Sequence, residues 1–446
     1  MSKRNFILLI IVLVIIVLVV FGFLYMRQNA QTPGEDGGGT NFLSQFNPFG
    51  TGGKPSGTPT GQEPVDVSGY EPGPEQGEIK LKKVSSMPIA GFTVYAKERL
   101  IEVPPIITPT TPEETDPKPT TNTKPVPPAT EFVSALRYVD RTNGNIYQTF
   151  ADKIEERRFS GTVIPKVYEA FFGNKGEVVI MRYLKEGSEV IATFVGNLPK
   201  EVLGGDTTGE NEVKGSFLPE NIRDVSLSAD GKSMLYLFNV EENIVGTTLN
   251  LITNQKAQIF DSPYTEWLPQ WPNSKLMTLT TKPASGVSGF VYGVDPINNK
   301  NLRQIFGNIN GLTTLTSPDG KSILYGNNTL SLGVYSTDTK TTEVLGIKTL
   351  PEKCVWSSGS DAIYCGVPKS IASTGYPDVW YRGETSFEDQ YWKIDIETGN
   401  ATLVLDPITV EGGEEIDTIK LALDVDENYL FFVNKKDSYL WELKLD

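Results

Sequence analysis

The sequence contains no histidine. That absence removes imidazole acid–base catalysis, His-dependent nucleophile triads and histidine metal ligands together. Cysteine is nearly as scarce: two residues, Cys354 and Cys365, too few for a thiolate zinc cluster. Positive charge is also in deficit. Against 55 Asp and Glu stand 40 Lys and Arg, a formal net charge of −15. Nucleic acid, whose binding needs a basic footprint, therefore drops out as a partner. The nucleophile elbow Gly-x-Ser-x-Gly is missing too, and Gly286-Val287-Ser288-Gly289 falls one residue short of it. No catalytic residue, cofactor or metal site is expected.

Long apolar runs are absent with one exception. Phe6 to Met26, FILLIIVLVIIVLVVFGFLYM, carries no charge and is long enough to cross a hydrocarbon core about 30 Å thick. The run outlasts the apolar stretch of a signal peptide and ends in bulky Phe23, Leu24 and Tyr25, so an uncleaved anchor is expected. Lys3 and Arg4 precede it and Arg27 alone follows. That asymmetry puts the N-terminus in the cytoplasm and the rest of the chain outside, a single-pass membrane protein. Residues 1–28 then form the cytoplasmic tip and anchor. Residues 29–76, rich in Gly, Pro and Thr, bury too little apolar surface to fold and read as a disordered linker.

Residues 77–446 read as one all-β domain. Short apolar, β-branched runs alternate with Gly, Asn, Asp and Pro, and no convincing helical period follows the anchor. Two segments, LSADGKSMLYLF (227–238) and TSPDGKSILYGN (316–327), spell Gly-Lys-Ser. A phosphate loop would need Gly where Ser226 and Leu315 stand, and would open a helix rather than the strands Met234-Leu235-Tyr236 and Ile323-Leu324-Tyr325. The same letters suit a tight turn with Gly231 or Gly320 in the left-handed position. The pattern recurs as QWPNSKLMTLTT (270–281), VWSSGSDAIYCG (355–366), ALDVDENYLFFVN (422–434) and FFGNKGEVVIMRY (171–183), mostly about 40–45 residues apart, the spacing of propeller blades. In the last of the repeats, Asp424-x-Asp426-x-Asn428 opens like a calcium loop, but its place in the repeat makes it a turn.

Half-repeats between these segments, among them RYVDRTNGNIYQTF (137–150), LNLITNQKAQIF and YWKIDIETGNATLVL, are expected to be third and fourth strands of blades. The final repeat ends in a third strand, SYLWELKLD, with no fourth. GEIKLKKV (77–84) is expected to supply it and close a ring of seven blades, six being the alternative. The Pro-rich stretch 104–130 reads as a long loop inserted in this domain.

The Ser-Pro/Ala-Asp-Gly-Lys-Ser turn followed by an apolar strand resembles the repeat of TolB-type β-propellers, over roughly residues 78–446. More narrowly, RYVDRTNGNIYQTF, TVIPKVYEAFFGNKGEVVIMRYL and YPDVWYRGETSFEDQYWKID resemble stretches of uncharacterised membrane-anchored propeller-like proteins of candidate-phylum bacteria. That resemblance implies a fold and no activity.

Two places stand out as sites. Folding CVWSSGSDAIYC about Gly359-Ser360 sets Cys354 opposite Cys365, within reach of a disulfide in an outward-facing domain. Residues 373–392, a long insertion between the second and third strands of one blade, combine aromatic and charged residues. Tyr376, Asp378, Trp380, Tyr381, Arg382, Phe387, Asp389 and Trp392 are the binding candidates, with rings folded back as a cap being the competing reading. Insertion 104–130 and Lys282–Ser288 are expected on the same face. The expected function is an anchored binding or scaffolding module for an envelope protein or cell-wall glycan. A carboxylate-dependent glycan hydrolase and a structural component of an envelope assembly are the alternatives.

Overall fold

The computed structural model describes residues 80–101, 129–153, 155–201, 203, 209–297, 299–372 and 374–445. The anchor at Phe6–Met26, the linker and nearly all of insertion 104–130 lie outside the described residues. Among the described residues, no helix is long and apolar enough to cross a membrane.

Seven four-stranded antiparallel sheets make a seven-bladed β-propeller. Blade 1 is Ile89–Leu100, Thr130–Asp140, Ile146–Phe150 and Arg157–Arg158. Blades 2 to 6 open with Val167–Gly173, Asp224–Leu227, Trp267–Asn273, Thr313–Thr316 and Cys354–Trp356. Blade 7 takes Thr418–Leu423, Tyr429–Asn434 and Leu440–Lys444 from the C-terminal end and Leu81–Lys83 from the other. Leu81 sits opposite Leu443, Lys82 opposite Glu442 and Lys83 opposite Trp441, so the ring closes through the segment expected to close it.

Local chemistry explains the repeat. Gly320 lies at φ 75° and Gly231 at 66°, a region that costs a glycine nothing. Asp319 Oδ1 accepts from Ser317 Oγ (2.6 Å) and the Lys321 N–H (2.9 Å), and Ser317 Oγ accepts from the Ser322 N–H (3.0 Å). Ser228 and Asp230 repeat this pattern around Gly231. Each turn delivers a second strand that is buried on both faces, such as Val178–Met181, Met234–Leu237 and Leu430–Val433. Their side chains fill the spaces between neighbouring blades. One cluster joins Val167 and Val179 to Val139 and Phe159 across blades 1 and 2, and another joins Leu430 and Trp441 to Tyr391 and Leu405 across blades 6 and 7.

First strands of adjacent blades touch, which makes them the innermost strands around the axis. One close approach is at Gly91, where an added Cβ would lie 1.9 Å from the carbonyl oxygen of Ala170. Blade order also assigns the two faces. Second-to-third-strand turns and blade-to-blade crossings share one, here the upper face. First-to-second and third-to-fourth turns share the lower one.

Two sequence expectations are corrected by this topology. RYVDRTNGNIYQTF spans the second and third strands of blade 1, not the third and fourth, because the long strand Ile89–Leu100 comes first in that sheet. Insertion 104–130 joins the first and second strands, whose ends Leu100 and Thr130 pair at the lower side, and Thr130 itself is already strand. Its described ends therefore lie on the face opposite residues 374–388. Lys282–Ser288 shares the face of those residues, as a second-to-third-strand turn of blade 4.

Gly91→Ala is expected to cost about 1–3 kcal/mol through forced separation of blades 1 and 2, read as a lower denaturation midpoint in urea. Gly286→Ala, where nothing lies within 4 Å, should leave the midpoint unchanged. A second expectation concerns Glu442, which is 2% exposed, with no hydrogen-bond partner for Oε2. Burial pushes its carboxyl up to about 8. The native state thus holds this proton more tightly than the unfolded chain, whose carboxyl titrates near ~4.3. The contribution of Glu442 to stability should be full below that value and decline as pH rises towards 8. Glu442→Gln should flatten the decline in a series of denaturation curves.

Candidate binding face

The crossing from blade 5 to blade 6 is a single 3-10 turn, Pro351–Lys353, that buries Lys353 completely. An unpaired buried ammonium would be prohibitive, and two carboxylates meet it. Lys353 Nζ lies 2.5 Å from Asp417 Oδ1 and 2.7 Å from Asp389 Oδ2, and donates to the Thr418 carbonyl at 3.2 Å. Asp389 opens the third strand of blade 6, and Asp417 immediately precedes the first strand of blade 7. Asp417 Oδ2 also accepts from Trp380 Nε1 (3.0 Å), Ser386 Oγ (3.1 Å) and the Phe387 N–H (3.1 Å). Asp389 Oδ2 accepts from the Thr418 N–H at 2.7 Å, while Oδ1 has no partner. Burial drives the Asp389 carboxyl above its ordinary value, with Lys353 pulling the other way.

Residues 374–388 fold over this charge cluster. A four-residue helix, Asp378–Tyr381, brings Trp380 inward, and Tyr376, Trp380 and Phe387 pack with Leu330 and Leu350. The ammonium of Lys353 sits 5.1 Å from the Phe387 ring and 5.4 Å from that of Trp380. The segment is tied at its margins to three other blades. Asp378 Oδ2 accepts from the Ser285 N–H in blade 4 at 2.6 Å. Tyr381 donates to Glu352 at the blade 5–6 crossing, and Lys435 of blade 7 donates to the Trp380 carbonyl at 2.8 Å.

Of the eight binding candidates, Tyr376, Trp380, Phe387 and Asp389 are buried inside this cap and offer no surface. Tyr381 and Arg382 are exposed, the latter paired with Glu384 at 2.6 Å. Asp378 is half-buried and anchors the cap. Trp392 lies on the blade itself, opposite Cys365. A disulfide joins Cys365 to Cys354 in the register that the hairpin sets, with Cα atoms 4.1 Å apart.

The cap covers the upper ends of blades 4 to 7. Beside it, where blades 7, 1 and 2 meet, the same face opens into a cleft of about 670 Å³. Arg141, Lys166, Lys435 and Lys436 line it together with Tyr168, against a single carboxylate, Asp437. Lys435 belongs to both features, because its ammonium also lies 4.8 Å from the Trp380 ring. Nearby, Lys420 on the first strand of blade 7 donates to the Ala90 carbonyl at 2.7 Å, and burial lowers its affinity for a proton. Arg182 pairs with Glu169 and donates to the Ile222 carbonyl at 2.6 Å. Asp224, which opens the first strand of blade 3, is pushed up to about 6 by burial.

Sequence reasoning missed Lys353, Asp417 and the cleft. The doublet Lys435-Lys436 beside a turn is the one local signal of the cleft. Nothing in Pro351-Glu352-Lys353 announces a buried lysine, because its partners lie 36 and 64 residues away, at 389 and 417 (389 − 353 and 417 − 353).

No protein family and no curated protein matches the chain. Among solved structures it is similar to TolB from Acinetobacter baumannii, with 13% identity and a TM-score of 0.36. The match covers 68% of this chain and 60% of TolB. It is also similar to an oligogalacturonate lyase in complex with manganese, with 10% identity and a TM-score of 0.46, covering 70% of this chain and 85% of the lyase. A Vibrio parahaemolyticus oligogalacturonate lyase gives 9% identity, the same TM-score, and coverage of 70% and 86%.

Trp380→Phe keeps the ring in the cap but removes the donor to Asp417. It is expected to cost about 1–3 kcal/mol in equilibrium denaturation, the penalty of leaving a buried carboxylate one bond short.

Proposed function

We propose that this protein is a membrane-held, extracytoplasmic binding module whose upper face takes an anionic cell-wall glycan in the cleft between blades 7, 1 and 2. The observation that carries this reading is the charge of the cleft. On a chain with a net charge of −15, Arg141 and Lys166 stand exposed at one opening beside Lys435, held by the Trp380 carbonyl, and Lys436, paired with Glu415 at 3.1 Å, and Asp437 is the one carboxylate lining it. Its volume suits one or two sugar units, since ligand clefts run to about 300–1,000 Å³. The half-buried ring of Tyr168 offers a flat wall, and cations around it would meet carboxylate or phosphate substituents. Blade-to-blade packing holds these side chains on a rigid frame. The anchor expected at Phe6–Met26 would keep that frame near the wall.

A carboxylate-dependent hydrolase is the second reading, favoured by Asp224. With its carboxyl pushed up to about 6, it is suited to give and take a proton near neutral pH, and Glu169 lies close enough to contribute to that shift.

The test is binding of the full-length protein to an acidic wall glycan and to its neutral counterpart, at low and high salt. Arg141→Glu/Lys166→Glu should weaken binding to the acidic glycan at least about tenfold, and added salt should weaken the wild type. Equal affinity of wild type and variant, or preference for the neutral glycan, would remove the reading. Release of new reducing ends by the wild type but not by Asp224→Asn would move the assignment to the hydrolase.

A further inference from the structure

The Lys353 cluster has more chemistry in it than an ion pair needs. It holds one amine and two carboxylic acids, all fully buried, in a pocket walled by Trp380, Phe387 and Tyr391. Two acids beside one amine can accept the protons that its nitrogen must give up to bond to carbon. The Lys353 nitrogen is already held 2.5 Å from an oxygen of Asp417, the kind of fixed proximity that substitutes for very high reactant concentrations.

The two acids differ in ways that assign them roles. Asp417 Oδ2 collects donors from Trp380 Nε1, Ser386 Oγ and the Phe387 N–H, which is the environment of a carbonyl oxygen about to gain negative charge. Its Oδ1 faces the amine. Asp389 touches the amine through Oδ2 and leaves Oδ1 unpartnered, the arrangement of a carboxyl group free to carry a proton. We propose that Lys353 and Asp417 condense to an intramolecular amide, with Asp389 relaying protons, so that blades 6 and 7 become covalently joined across the cap.

The step needs no reagent from outside. One ammonium proton passes to Asp417 Oδ1, and the amine lone pair then forms the Nζ–Cγ bond. Charge builds on Oδ2 beneath its three donors. Asp389 takes a second proton from Nζ while giving its own to Oδ1, and the Cγ–Oδ1 bond breaks. The products are an amide, one water and an Asp389 returned to its starting state. This inference is independent of what the cleft binds.

Intact mass spectrometry of the full-length protein, after reduction of the Cys354–Cys365 disulfide, is the test. The wild type is expected about 18 Da below the mass of its sequence, one water lost. Proteolysis should yield a branched peptide joining Lys353 to Asp417. Asp389→Asn, which keeps the size of the side chain but cannot exchange a carboxyl proton, should show the full mass while retaining the wild-type circular dichroism spectrum. A reduced wild type at its full mass overturns the proposal, as does a deficit of the same size without the branched peptide. Linkage of Lys353 to Asp389 instead, or an undiminished deficit in Asp389→Asn, overturns the roles assigned to the two acids.

Discussion

Everything in this fold rests on three residue pairs: Leu81 with Leu443, Lys82 with Glu442 and Lys83 with Trp441. Without them the last blade has three strands and the ring has two loose edges, each a row of unpaired amides and carbonyls. With them the first strands of neighbouring blades are brought into contact around one axis. That contact gives the upper face its shape. Arg141 and Lys166 share a cleft with Lys435 only because closure makes blade 7, distant in sequence, the neighbour of blade 1.

The upper face divides into two halves that use charge in opposite ways. Under the cap, Lys353, Asp389 and Asp417 are withdrawn from water and paired with one another, with aromatic rings packed above them. In the cleft, Arg141 and Lys166 stand exposed to solvent, while Lys436 pairs with Glu415. Buried charges act on the architecture, because removing one partner strands the others in a medium that cannot solvate them. Exposed ones act on whatever approaches. Lys435 links the halves, with its ammonium held by the Trp380 carbonyl and ring while its backbone lines the cleft.

The blade repeat was legible in sequence because its determinants are local. A Ser-Pro-Asp-Gly turn closes within five residues, and an apolar strand follows at once. Even ring closure could be read, from a blade that lacked a strand and a strand that lacked a blade. The face assignment of 104–130 failed for a related reason. Blade 1 opens with the unusually long strand Ile89–Leu100, and reading RYVDRTNGNIYQTF as third and fourth strands slipped the hairpin phase by one strand. The cap showed a different limit. Composition made 373–392 conspicuous, but a stretch with two tryptophans and three tyrosines looks the same whether it greets a partner or covers a lysine. That distinction depends on Lys353 and Asp417, which no local pattern marks.

The way the chain enters the ring has a mechanical meaning. Everything before Lys80 connects to the propeller through the outermost strand of the closing blade, a strand of three residues. Tension arriving along the chain from that side would be delivered first to the pairs that complete the ring. The next contacts in line are the Val84 N–H to the Leu440 carbonyl at 2.8 Å and the Ile89 N–H to the Ser438 carbonyl at 2.8 Å. Ser438 lines the cationic cleft. A pull strong enough to strip the closing strand would therefore run on towards the cleft wall, so this molecule's grip on a ligand and its response to load share one short piece of backbone.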